Sequence, residues 1–294
     1  MSEIEAPPRP EYTIPVRGGK LRMGRRTLLM GIVNVTPDSF SDGGDFLKTE
    51  IAVLQGLKLA EEGADILDVG GESTRPGSDP IDPDEELRRV LPVIEGLRAK
   101  TDVPISIDTY KSPVARKALE AGADIINDIF GFQGDPEMPG LAAEHQCPAV
   151  LMHIRGVPKT MNDDTTYEDL ISEMIAYLRN GIDLGVKAGL PRENLVIDPG
   201  IGFAKRHQQN LEILCRLHEF NALNCPILVG PSRKSFIGQT IGVPPKERIF
   251  GTAASVAMSA ARGAHILRVH DLKEMRQVLD VVDAILYPDV SETS

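Results

Sequence analysis

The sequence predicts a single α/β domain of the (β/α)8 type, with eight parallel strands closed into a TIM barrel inside a ring of helices. Three observations predict it. Short apolar runs of β character alternate with longer segments whose apolar residues recur every three or four positions, as buried strands and amphipathic helices require. The alternation repeats eight times, the number of parallel strands that closes a barrel. A weak internal repeat, Gly63-Ala64-Asp65-Ile66-Leu67, Gly122-Ala123-Asp124-Ile125-Ile126 and Gly263-Ala264-His265-Ile266-Leu267, sets a glycine where a helix ends and an apolar run where a strand begins. A doubly wound open sheet is the alternative and ranks below it.

Taken in order, residues 1–11 hold three prolines and three glutamates and read as a mobile arm. Tyr12–Val16 and Lys20–Met23 flank Gly18-Gly19 and predict a β-hairpin ahead of the barrel, so the domain spans 12–287 with the hairpin at 12–23 and a tail at 288–294. The predicted barrel strands are Leu28–Val33, Ile66–Val69, Pro104–Ile107, Ile125–Ile126, Ala149–Met152, Leu195–Ile197, Pro226–Val229 and His265–Val269. The predicted helices are Ile51–Glu62, Glu85–Lys100, Pro113–Ala121, a short one at Met138–His145, Tyr167–Lys187, Asn210–Phe220, Arg248–Ala261 and Leu272–Ile285. No linker divides the chain.

With a formal charge of -11, the chain is not expected to bind nucleic acid or an anionic membrane surface as its main partner. The longest apolar run, Leu28 to Val35, is too short to cross a bilayer. Three cysteines, Cys147, Cys215 and Cys225, form no CxxC pair and point to a reduced cytoplasmic protein rather than a disulfide scaffold. Met1 leads into a Pro/Glu stretch, not a basic and apolar signal segment.

In such a barrel, active sites lie at the C-terminal ends of the strands, and nearly every predicted end carries a polar group: Asn34, Asp68, Asp108, Asn127-Asp128, His153, Asp198, Ser232-Arg233-Lys234, and Arg268 with His270-Asp271. A single Asp after a strand is more often a helix cap or turn former. That reading leads for Asp128 and Asp271, and Asp68, inside an apolar run, reads as a structural carboxylate. His153 is as readily a supporting group as a contact. Two long loops, Thr36–Thr49 and Glu72–Asp82, read as lids or binding loops. Arg75, Arg233, Lys234, Arg268 and His270 ring the same mouth and suit a phosphate. Asp108, Asn127, Asp198 and Lys234 form a second set whose donors and acceptors suit a flat polar heterocycle. Neither a P-loop nor GxGxxG occurs, so mononucleotide and dinucleotide binding lack support.

Met30-Gly31-Ile32-Val33-Asn34-Val35-Thr36-Pro37-Asp38-Ser39-Phe40-Ser41-Asp42-Gly43-Gly44 resembles the first signature of the dihydropteroate synthases, and Asp65-Ile66-Leu67-Asp68-Val69-Gly70-Gly71-Glu72-Ser73-Thr74-Arg75-Pro76-Gly77 resembles the second. Ser106-Ile107-Asp108-Thr109, Ile126-Asn127-Asp128, Met152-His153, Asp198-Pro199-Gly200-Ile201-Gly202-Phe203, Ser232-Arg233-Lys234-Ser235 and Arg268-Val269-His270-Asp271 match in order, from about Leu28 to the last helix. The resemblance implies a pterin-binding TIM barrel that uses Mg²⁺ to join 6-hydroxymethyl-7,8-dihydropterin pyrophosphate to 4-aminobenzoate, with sulfonamides as competitors and a homodimer as the assembly. It assigns Asp108, Asn127, Asp198, Lys234 and Arg268 to the pterin, and Thr74, Arg75, Arg268 and His270 to the pyrophosphate. Asn34 is its Mg²⁺ ligand, and Phe40, Thr74, Pro76, Phe203, Lys234 and Ser235 border 4-aminobenzoate. The groups implied to act in the reaction are Asp108, Lys234, Arg268, Asp38 and Asp42. Ile154, Val157, Phe130 and Pro231 depart from the usual pattern without removing a functional group. A non-catalytic pterin-binding paralogue and a methyltetrahydrofolate methyltransferase are the competing readings. The first would be expected to lose Asp38, Phe40 or Arg75, and the second has no need of the Asn34–Gly44 segment.

Overall fold

The computed structural model describes residues 9–35 and 45–288, with only the backbone described for 45–47. Tyr12–Val16 (β1) and Gly19–Met23 (β2) form an antiparallel hairpin. The barrel strands follow as Leu28–Asn34 (β3), Ile66–Gly70 (β4), Ile105–Asp108 (β5), Ile125–Asp128 (β6), Ala149–Met152 (β7), Leu195–Asp198 (β8), Leu228–Val229 (β9) and Ile266–Val269 (β10). They pair in parallel in the order β8-β7-β6-β5-β4-β3-β10-β9. The ring closes where Ile197 of β8 bridges Ile227 just before β9. That last strand is short because Pro226 and Pro231 bracket it, and proline cannot donate to a ladder.

The helices are Asp45–Glu61 (α1), Pro83–Arg98 (α2), Ser112–Ala121 (α3), Met138–His145 (α4), Leu170–Ala188 (α5), His207–Cys215 (α6), Ser235–Ile241 (α7), Ile249–Ala261 (α8) and Leu272–Leu286 (α9). The short α7 was not anticipated: seven residues are too few to display a helical period. The predicted helix to Phe220 instead ends at Cys215 and continues as a 3-10 segment over Leu217–Leu223. The three repeat glycines do adopt the left-handed conformation expected of them, with φ of 93° at Gly63, 116° at Gly122 and 106° at Gly263.

Strand alternation sorts the side chains into two cores. Residues such as Leu29, Val33, Leu67, Ile107, Leu151, Ile197 and Leu267 point outward and pack with the helices. Their alternates point into the barrel, where Leu28, Met30, Ile66, Ile125, Val150, Val196, Leu228 and Ile266 fill the lower half, and Ile14 and Met23 of the hairpin pack onto them from below. The hairpin is thus a plug for the end opposite the site. Burying a side chain of this size contributes about 1.5–3 kcal/mol, so the plugged floor supports the wall above it. Higher up, the inward position becomes polar on five of the strands, at Asp68, Ser106, Asn127, Asp198 and Arg268.

The end of the stretch read as a mobile arm is anchored. Arg9 is buried, donates to Thr27 and to Ala264 O at 2.9 Å, and meets Asp283 at 2.5 Å. Pro10 O lies 3.0 Å from His265 Nε2. A proline-rich composition gave no hint of these partners, of which Ala264, His265 and Asp283 come from the far end of the chain.

Candidate active site

The polar upper layer is organised around Arg268 on β10. Its Nε donates to Asp68 Oδ2 at 2.6 Å and its Nη2 to Asp108 Oδ2 at 2.7 Å. Asp68 is fully buried and also accepts from Asn127 Nδ2 at 3.2 Å, as its reading as a structural carboxylate anticipated. The consequence for the site is larger than that reading. With its nitrogen turned to Asp68, Asn127 keeps its amide oxygen as an acceptor, and Arg268, tethered through edge N–H groups, keeps the faces of its planar group for stacking.

Asp108 stands beside Asn127 in the β5–β6 register. Burial pushes its carboxyl up to about 7 against the opposing pull of Arg268, with Asp68 adding to the rise. Asp198, at the end of β8, is pushed up to about 6 by burial, and the N–H of Gly200, 2.7 Å from Oδ1, resists the shift. Gly200 sits at φ 68°, and a Cβ there would lie 2.1 Å from His153 O, so only glycine makes this turn. Lys234 follows β9 and places Nζ 4.1 Å from the centre of the Phe203 ring, a cation–π contact,. Burial, with Arg268 next, lowers its ammonium to about 8, and Asp198, Asp108 and Arg75 also act on it. Pterin-assigned Asp108, Asn127, Asp198, Lys234 and Arg268 therefore share one electrostatic environment.

His270 is held by Ser232. The hydroxyl lies 3.2 Å from the His270 amide nitrogen, which donates to it, and 3.0 Å from Nδ1. With Ser232 donating to Nδ1, the proton of the neutral ring sits on Nε2, which can then donate to an anion. Burial, then Arg268 and Arg233, lowers the imidazole to about 3, so His270 acts as a neutral donor rather than a cation.

Arg233 departs from its expected place among the free basic groups. It pairs with Asp271 through two nitrogens, and it holds a positive φ of 58°. Asp271 precedes α9, as its reading anticipated, but its carboxylate caps no helix N–H and is engaged by Arg233 instead. Asp128 is a turn former, accepting from the N–H groups of Phe130 and Phe132 at 2.8 Å each.

Thr74 is half-buried while Arg75 and Pro76 are exposed on the β4–α2 loop. Ser235 is exposed at the start of α7. Asn34, half-buried, ends β3 beside Gly70 of β4. Asp38, Phe40 and Asp42 lie outside the described residues. Among the four departures, Phe130 packs edge-on against Tyr110 with centroids 5.0 Å apart, Ile154 joins the small cluster that supports Phe203, Pro231 is buried beside β9 and Val157 is exposed.

Lys205 was not singled out from the sequence. Its buried ammonium reaches Phe203 O at 2.7 Å, Gly200 O at 3.0 Å and His153 Nδ1 at 3.0 Å, joining the β8–α6 loop to the end of β7. His153 is therefore a supporting group. A lysine one residue past Phe203-Ala204 looks like a solvated loop residue, and no local signal marks it otherwise.

No group of three or more His, Cys, Asp or Glu side chains among the described residues could hold a metal. Mg²⁺ keeps waters and substrate phosphates as ligands and needs only one or two protein oxygens. The Asn34 amide at the barrel mouth is chemically suited to such a place.

Acidic and amide groups on the inner wall, with Arg268 paired among them, mark the barrel mouth as the candidate site. Residues 30–270 match the family model of pterin binding enzymes, and the chain belongs to that family. It is 49% identical to the dihydropteroate synthase of Synechocystis sp. over 92% of this chain and 94% of that one. The structure superimposes on the Xanthomonas albilineans dihydropteroate synthase solved with 4-aminobenzoic acid, with a TM-score of 0.88, 43% identity and coverage of 95% and 99% of the two chains. That enzyme solved with 7,8-dihydropteroate gives 0.84 at 41% identity and coverage of 94% and 99%. The Yersinia pestis enzyme with a sulfonamide drug gives 0.87 at 40% identity over 93% and 98%.

Proposed function

We infer that this chain catalyses the dihydropteroate synthase reaction, the condensation of 6-hydroxymethyl-7,8-dihydropterin pyrophosphate with 4-aminobenzoate to 7,8-dihydropteroate and pyrophosphate. The observation that carries the reading is the juxtaposition, at one barrel mouth, of Asp108, Asn127 and Asp198 with the Arg268 ion pairs and the Lys234–Phe203 contact. Near-half identity to a named synthase over almost the whole chain supports it.

Asp198 accepts paired N–H bonds from the amino-heterocycle edge, Asn127 offers its oxygen, and Arg268 lies against the ring. The C–O bond to pyrophosphate breaks first, in an SN1-like step, because the electron-rich pterin supports a developing cation. Asp108 stabilises that cation, while Arg75, Arg268 and the Nε2–H of His270 hold the departing anion. The amine of 4-aminobenzoate, bordered by Phe203, Lys234, Ser235, Thr74 and Pro76, then attacks the carbon, forming the C–N bond, and passes its proton to the departed pyrophosphate or to solvent. Asn34 would hold Mg²⁺, which would supply charge neutralisation at the pyrophosphate. By the resemblance, Phe40 is assigned to 4-aminobenzoate and Asp38 and Asp42 to the reaction. Sulfonamides compete for the 4-aminobenzoate place.

The assembly we infer is a homodimer. Phe250 and Met258 on α8 and Val281 and Ile285 on α9 are exposed apolar groups on neighbouring helices, a surface suited to association. No helix among the described residues is long and apolar enough to cross a membrane, and Cys147 and Cys225 are buried free thiols, consistent with a reduced cytoplasmic setting. Pyrophosphate release with both substrates, measured against each alone, tests the activity. Release only when both are present is expected. Pterin binding without release would favour the non-catalytic paralogue.

A further inference from the structure

We propose that Lys111, acting through Glu72 and Glu86, is a positioning residue that holds the β4–α2 substrate loop in its working shape before any ligand arrives. The proposal rests on the reading that Thr74, Arg75 and Pro76 on this loop meet the substrates. Lys111 lies just before α3 and belongs to neither substrate's residue set. Its Nζ donates to Glu72 Oε2 at 2.5 Å, Glu86 Oε2 at 2.6 Å and Ile81 O at 2.8 Å, which uses all three ammonium donors.

Both ends of the loop meet at that one cation. Glu72 opens the segment and Ile81 closes it, and the Ile81 N–H donates back to Glu72 Oε2 at 3.0 Å. The second Glu72 oxygen accepts from the Tyr110 hydroxyl at 2.9 Å. The side chains are little exposed: 11% for Lys111, 6% for Glu72 and 1% for Glu86. Further along, the Gly77 N–H donates to Pro158 O at 3.0 Å, and Lys159 reaches Asp79 at 2.5 Å in an exposed pair, which adds little. The long loop that reads from sequence as a lid is thus pinned at its base and tied at its tip.

The charge count makes Lys111 the critical member. One ammonium faces two buried carboxylates, and burial already raises the Glu86 carboxyl, with Lys111 opposing the rise. Without the cation, two like charges remain in a site that cannot solvate them. Glu86 is fixed on α2, so the relief available is for Glu72 to swing toward water. Thr74 is two residues away and moves with it. The loop must then be ordered on binding rather than on folding, which weakens binding and leaves the rate of the saturated enzyme intact.

The test uses the full chain with Lys111→Met and Lys111→Arg, reading backbone hydrogen exchange without ligand and steady-state kinetics. In Lys111→Met, exchange over 72–82 should rise locally, with the barrel strands unchanged. KM for both substrates should rise roughly tenfold, in line with loss of a charged hydrogen bond, while kcat stays within about twofold. Lys111→Arg, able to bridge two carboxylates, should recover most of the KM. Unchanged exchange over 72–82, or faster exchange with unaltered KM, would overturn the proposal, as would a uniform rise in exchange with kcat falling alongside. Should Lys111→Met fail to fold, Tyr110→Phe removes one donor to Glu72 and must loosen the same segment, or the proposal is lost. An inactive wild-type chain would instead overturn the activity reading, while the exchange measurement still decides the pin.

Discussion

Arg268 Nη2 lies 2.7 Å from Asp108 Oδ2, joining the last barrel strand to the third across the mouth of the site. The same guanidinium reaches Asp68 at 2.6 Å, so one cation serves two carboxylates and neither is fully neutralised. Asp108 is therefore poised to meet additional positive charge, and Arg268 is fixed in place before a substrate enters.

The first prediction concerns pH. Burial raises Asp108 to about 7 and Asp198 to about 6, and both assigned roles require the ionised form. As pH falls through these values the carboxylates take up protons, so kcat/KM should fall on the acid side, with its limb at about pH 6–7. A profile at constant ionic strength checks this. Activity that stays level down to about pH 5 would contradict the assignment.

Asp198→Asn should weaken pterin binding without unfolding the chain. A charged hydrogen bond into a partly buried site contributes about 1.5–3 kcal/mol, or roughly 10- to 150-fold in affinity. Calorimetry with a pterin ligand, alongside circular dichroism, gives the answer. Native spectra with unchanged affinity would remove Asp198 from the pocket.

Binding of 4-aminobenzoate should tighten when Mg²⁺ and pyrophosphate are present. Thr74 is assigned to both the anion and 4-aminobenzoate, and Arg75 and Pro76 beside it divide between them, so the two ligands share one short loop and are coupled through it. Because that loop is already pinned by Lys111, the coupling is expected to be reduced from that of a free lid and to depend mainly on the charges. Titrations with and without Mg²⁺-pyrophosphate measure it, and equal affinities would show the sites to be independent.

The order of bond breaking is open to isotope exchange. If pyrophosphate leaves before the amine attacks, chain supplied with Mg²⁺ and pterin pyrophosphate alone should scramble ¹⁸O from the bridging into non-bridging positions of recovered substrate. Asp108→Asn should slow the scrambling by roughly 10²–10³, the size of one preorganised electrostatic contact. Scrambling that ignores this substitution would end the role given to Asp108, and its absence alongside full turnover would favour direct displacement.

The amino-acid sequence by itself determined the barrel and the level at which the site lies. Strand and helix periods are local properties, and each predicted strand end placed Asn34, Asp108, Asn127, Asp198 or Arg268 at the mouth, where alternation turns it inward. The role of Asp128 as a turn former also followed from position along the chain. Tertiary structure alone decided which charges pair. Arg268 and Asp68 are 200 residues apart and meet only because β10 pairs with β3, which sets it one strand away from β4. Lys111 and Lys205 look like solvated residues in sequence, since burial depends on loops folding over them from elsewhere in the chain. Arg233 was drawn away from the basic rim for the same reason: Asp271 follows β10, the strand that the fold sets beside β9. An ion pair depends on distance and desolvation, which the fold sets and a local pattern does not.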